Sequence, residues 1–128
     1  MNTEISVLVV DGSPATANIV STLVRQCGFA KVDQALSGQS ALEALRNERY
    51  RLVIADINMV GMNGVELLAA VRSDFFLANV CFVLMSAERH PQLVEAAIRY
   101  RADCFVTKPF TRDILKCKLE DLPKLKAA

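Results

Sequence analysis

Short apolar runs alternate with amphipathic stretches along this chain. ISVLVV (5–10), RLVIAD (51–56) and VCFVLMS (80–86) are almost continuously apolar, as expected of strands covered on both faces, while KVDQA (31–35) and CFVTK (104–108) are shorter candidates of the same kind. Between them apolar residues recur at helical spacing. Pro14 sits where a first helical turn tolerates it, so a helix is predicted over 15–27 with Ile19, Val20, Leu23 and Cys27 on one face and Gly28 closing it. Ser37 can cap a second helix striped with Ala41, Leu42 and Leu45. The loop INMVGMNG (57–64) leads into a third carrying Val65, Leu68 and Val71. Pro91 opens a fourth with Leu93, Val94, Ala97 and Ile98, and KPFT leads into a fifth over about 111–121. Five βα units in succession imply an α/β fold, a doubly wound five-stranded parallel sheet of the (βα)5 kind.

A chain of 128 residues suits one domain, expected over 1–122, with 123–128 (PKLKAA) left as a C-terminal tail or the start of a linker. No apolar tract approaches the roughly 18 residues of a membrane span, and MNTEIS lacks the cationic start of a signal peptide. The expectation is a cytoplasmic protein with no membrane partner. With 15 Lys plus Arg against 14 Asp plus Glu, overall charge gives no reason to expect nucleic-acid binding unless an output domain follows. Cys27, Cys81, Cys104 and Cys117 form no C-x-x-C pair and are expected as buried free thiols. His90, the single histidine, is expected as an exposed loop residue.

The chemistry lies at the strand ends. Asp11, Asp56, Ser86 and Lys108 each end a predicted strand, and in open α/β sheets ligands bind beyond the carboxyl ends of the strands. Two carboxylates and a loop carbonyl offer the hard oxygen donors that suit Mg²⁺. A carboxylate can attack phosphorus to form an aspartyl phosphate, with a cation, a lysine and a hydroxyl stabilising the transferring oxygens. The G-x-G-x-x-G, G-x-S-x-G and Walker A patterns are absent.

LVVDGSP, LVIADINMVGMNGVELL, VLMSAE and DCFVTKPF, in this order and spacing, resemble the receiver domains of two-component response regulators, most of all the single-domain chemotaxis type. The resemblance implies a flavodoxin-like sheet of order 2-1-3-4-5 and a phosphoryl group passed to Asp56 from a sensor histidine kinase or phosphotransfer protein. It implies that Asp11, Asp56 and the Asn58 backbone carbonyl hold Mg²⁺ and that Ser86 and Lys108 act on the phosphoryl group. Pro109 is expected to follow a cis peptide. Phe105 stands at the position of an aromatic that turns inward when Ser86 shifts, and Asn58 and Glu88 at positions that tune aspartyl-phosphate hydrolysis. The surface that would meet a downstream target or a second copy lies on the fourth helix, fifth strand and fifth helix and includes Arg89, Val94, Ile98, Phe105, Thr107 and Lys118.

The sequence departs from the family at Gly12, where a second metal-binding acid is usual, so weaker Mg²⁺ binding is expected. An alternative reading follows: a degenerate receiver acting as a phosphorylation-independent interaction module. Val60, Asn63 and Arg101 replace a proline, an acid and a glycine; Arg101 reads as a cation placed against a helix dipole. At most the chain would catalyse its own phosphorylation and dephosphorylation.

Overall fold

The computed structural model describes residues 4–126. In order, the elements are β1 (Ser6–Val10), α1 (Pro14–Gln26), β2 (Lys31–Ala35), α2 (Gly38–Asn47), β3 (Leu52–Asp56), α3 (Gly64–Ser73), β4 (Cys81–Ser86), α4 (Pro91–Arg99), β5 (Cys104–Thr107), α5 (Arg112–Glu120) and α6 (Pro123–Lys126). The strands form one parallel sheet in the order β2-β1-β3-β4-β5.

Strand alternation builds two cores from one sheet. Val7, Val9, Leu52, Ile54, Cys81, Val83 and Met85 point to the face covered by α1 and α5, where Val20, Val24, Leu115 and Leu119 meet them. Leu8, Val10, Val53, Ala55, Phe82 and Leu84 point to the other face, under Leu42, Leu45, Leu67, Leu68 and Val71. Each fully buried leucine contributes about 2 kcal/mol, so the central strands are fixed in register by both faces at once. β2 alternates with charge (KVDQA), which protects an edge of the sheet.

The caps match the expected starts. Ser13 accepts from the Thr16 N–H with Pro14 in the first turn, and Ser37 forms a capping box with Ser40. Helix faces differ in detail. On α1 the buried set is Ala17, Val20, Ser21 and Val24, while Ile19 is 62% exposed. On α3 Leu67, rather than Val65, joins Leu68 and Val71. On α4 only Ala97 is fully buried, and Ile98 is 72% exposed. The expected set of buried thiols also needs correction: Cys27 and Cys81 are buried, Cys104 is half-buried and Cys117 is exposed. Burial pushes the Cys81 thiol up to about 12.

The expected tail does not stand apart over its first four residues. Pro123–Lys126 form α6, whose Leu125 is buried in the α1/α5 core; residues 127–128 lie outside the described range. The Lys124 carbonyl accepts from Arg51, and its ammonium pairs with Asp103. Asp103 also accepts from Arg72 and from the Phe82 N–H, so one carboxylate ties α3, β4 and α6 to the start of β5.

Arg101 is more than a helix-end cation. Its φ of 64° is left-handed, where a Cβ is disfavoured, and its carbonyl accepts two hydrogen bonds from Arg72. Arg101→Gly keeps those backbone bonds and relieves the strain, so it should raise unfolding free energy by about 1 kcal/mol, read as a higher urea midpoint at constant slope.

Candidate functional site

The sheet delivers four polar residues to its carboxyl edge. Asp11 immediately follows β1, Asp56 and Ser86 end β3 and β4, and Lys108 follows β5. The Lys108 ammonium lies 3.1 Å from Asp11 Oδ2 and 3.4 Å from Asp56 Oδ1, so residues 97 and 52 positions apart in sequence share one ionic cluster. Asp11 Oδ1 accepts from the Ser13 N–H, which fixes the carboxylate at the turn into α1. The Asn58 N–H bonds to Asp56. Ser86 is fully buried; its Oγ accepts from the Glu88 N–H at 3.0 Å, while its carbonyl accepts from the Lys108 N–H. The Lys108–Pro109 peptide is cis, as expected.

Burial raises the Asp56 carboxyl above its ordinary value; Lys108 opposes the shift and Asp11 adds to it. A carboxyl raised on folding binds its proton more tightly in the native state. Its contribution to stability is therefore full below its unfolded value and falls as pH rises through the folded one. Asp56→Asn, which removes the charge while keeping the shape, should stabilise the protein at pH 7 by on the order of 1 kcal/mol and by less near pH 3, checked by urea melts at both pH values.

The likeness to known proteins agrees with this geometry. Residues 7–120 match the response regulator receiver domain. The chain belongs to that family. This receiver is 35% identical over 117 residues to the chemotaxis protein CheY of Pseudomonas aeruginosa, covering 91% of this chain and 94% of that protein. It is 33% identical to CheY-3 of Vibrio cholerae, covering 95% and 94%. Its fold superposes on the crystal structure of Vibrio cholerae CheY4 with a TM-score of 0.85 at 27% identity, covering 92% of this chain and 98% of that one.

Other residues singled out in the receiver's sequence sit around the cluster. Gly12 is exposed beside Asp11, and Asn58 is exposed beyond Asp56. Glu88 is exposed and its carboxylate lies 2.8 Å from His90 Nε2, which engages it outside the cluster. Arg89, Val94 and Ile98 line one shallow cleft with Pro91 and Glu95. Phe105 is half-buried against the α2/α3/α4 core, Thr107 is exposed on the same strand, and Lys118 lies on α5 near Cys104. An apolar cleft of ≈ 320 Å³ next to Lys108, lined by Thr16, Ile19, Leu23, Pro109 and Phe110 among others, was not expected from sequence. Its signal was Ile19, which a helical-period reading places inside.

Proposed function

We propose that this receiver takes a phosphoryl group onto Asp56 from the phosphohistidine of a sensor histidine kinase or phosphotransfer protein and signals through an altered protein-binding surface. The observation that carries this reading is the approach of the Lys108 ammonium to both Asp56 and Asp11. An Asp56 oxygen attacks phosphorus; the new P–O bond forms as the P–N bond to imidazole breaks, and the imidazole leaves with the electron pair. Lys108 stabilises negative charge on the transferring oxygens, at close range in a partly buried site. The apolar cleft beside Lys108 offers a helix of the donor protein a seat next to the reacting carboxylate.

The donor set suits Mg²⁺ held by few protein groups. Asp11, Asp56 and the Asn58 carbonyl would hold the ion, with water filling the remaining positions, and when bound it supplies neutralising charge to the phosphoryl oxygens. Among the described residues no group of three or more His, Cys, Asp or Glu side chains is gathered as a metal site.

Ser86 is buried, so its hydroxyl must turn outward to donate to a phosphoryl oxygen. That movement opens space beside β5 for Phe105, whose ring is already half-buried, and biases a two-state surface that includes Arg89, Val94, Ile98, Thr107 and Lys118. A downstream target, or a second copy, reads that surface. Asn58 and Glu88 border the path of hydrolytic water and set the lifetime of the phosphorylated state.

Labelling with phosphoramidate or acetyl phosphate tests the reading. Intact-mass measurement should show one phosphoryl group, added faster with Mg²⁺ and absent in Asp56→Ala. No labelling of the wild type at millimolar Mg²⁺, with partner binding unchanged in Asp56→Ala, would support the second reading that Gly12 motivates, a degenerate receiver whose interactions are independent of phosphate.

A further inference from the structure

The end of the sheet remote from Asp56 carries an aromatic pair that the chemistry above does not use. Phe75 and Phe76 are 89% and 90% exposed, with ring centroids 5.4 Å apart in an edge-to-face pair. They do not sit on a loose loop. Asp74 Oδ1 accepts from the Phe76 N–H, the Leu77 N–H donates to the Asp74 carbonyl, and the Val80 N–H donates to that of Leu77. Arg72 clamps the same turn by donating to the Ala78 and Val80 carbonyls. Two large apolar rings held in one geometry and turned to water mark a preorganised contact surface.

Phe76 borders a cleft of ≈ 690 Å³ whose other lining residues include Arg46, Glu48, Arg49 and Tyr50. Both signs of charge are present. Arg49 makes no side-chain bond or ion pair among the described residues, and Arg46 reaches Asp74 only at 3.9 Å. Glu48 and Asp74 would repel a purely acidic partner, as the arginines would repel a basic one. A two-fold axis beside the aromatic anchor that sets the arginines of one copy against Glu48 and Asp74 of the other satisfies both signs at once, which is what an isologous interface requires.

We propose that the Phe75–Phe76 turn and the adjoining α2–β3 connection form a homodimer interface at the amino ends of the strands. Each buried phenylalanine removes about 150–250 Å² from water, so four rings supply about 600–1,000 Å², the apolar centre of an interface of about 1,200–2,000 Å². Asp56 and Ser86 end the strands that Tyr50–Arg51 and Val80 precede, so Asp56 of each protomer lies at the far end of the sheet, and Val94 and Ile98 of α4 line a cleft that shares no residue with this one. This dimer is thus independent of phosphorylation and of the α4–β5–α5 face.

Sedimentation velocity of untagged protein over about 1–500 µM tests it. The wild type should show concentration-dependent dimerisation, weakened by about 100-fold or more in the Phe75→Ser/Phe76→Ser double variant. Arg49→Glu and Glu48→Arg should each associate weakly alone and pair when mixed. Asp56→Ala and Ile98→Asp should dimerise like the wild type. A wild type that stays monomeric at about 500 µM overturns the proposal, as does a dimer that survives loss of both rings or disappears with Ile98→Asp. Monomers that sediment with anionic phosphatidylglycerol vesicles through the same rings would overturn it in favour of a lipid surface.

Discussion

Gly12→Asp is expected to tighten Mg²⁺ binding by about 10–100-fold and to speed phosphodonor labelling of Asp56 in parallel. Position 12 follows Asp11 directly and is exposed; a Cβ built there meets only the Leu36 carbonyl oxygen, at 3.9 Å, an ordinary contact. Its backbone is also outside the left-handed region that would call for glycine. Neither space nor conformation therefore opposes a side chain, and the substitution adds a third carboxylate to a site that has two. Calorimetric titration with MgCl₂ measures the first effect and the initial rate of mass increase the second. Unchanged metal affinity in a folded variant would mean that the glycine is not what limits the site.

The reverse outcome is expected at Gly64. Gly64→Ala should cost about 3 kcal/mol of stability, at the upper end for overpacking, because the added methyl group has backbone for neighbours. It would press against the Asp56 carbonyl and lie 2.9 Å from Ile57 Cα, while the Gly64 N–H already donates to the Ile57 carbonyl. The first turn of α3 is thus packed against the chain that carries Asp56, and relief requires moving one or the other. Urea denaturation reads the loss, and labelling of the remaining folded protein should slow because Asp56 is displaced. At Gly38 an added Cβ would lie 2.8 Å from Met62 Cβ and Cγ and 3.0 Å from the Met62 carbonyl oxygen, atoms fixed by the 57–64 loop backbone, so Gly38→Ala should destabilise as well.

What could be read in the sequence follows from which constraints are local. β1, β3 and β4 are buried on both faces, so nearly every residue announces the strand, and the polar residue ending each run falls at the carboxyl edge. The positions of Asp11, Asp56 and Ser86 were legible for that reason, whereas Lys108 follows the shorter, partly buried β5 and was marked by the KPF motif after it. Helix faces were less so: Ile19 and Ile98 fit the apolar period yet point to solvent, because a period gives the spacing of a stripe without showing what covers it. The φ of Arg101 left no mark in its residue type, since arginine gives no hint of a left-handed backbone. Phe75 and Phe76 lie between elements, where periodicity has nothing to say, and only the folded turn shows them presented to water. The packing of α6 depends on Leu125 reaching a core built by distant segments, which no window around PKLK contains.

The anchoring of Lys124 to Arg51 and Asp103 has a practical outcome. A fluorophore or affinity handle joined after residue 126 departs from the base of the molecule, leaving the carboxylate cluster clear for a kinase while crowding the groove beside Phe76. Tagged preparations should then leave phosphodonor labelling of Asp56 unchanged and weaken the proposed self-association.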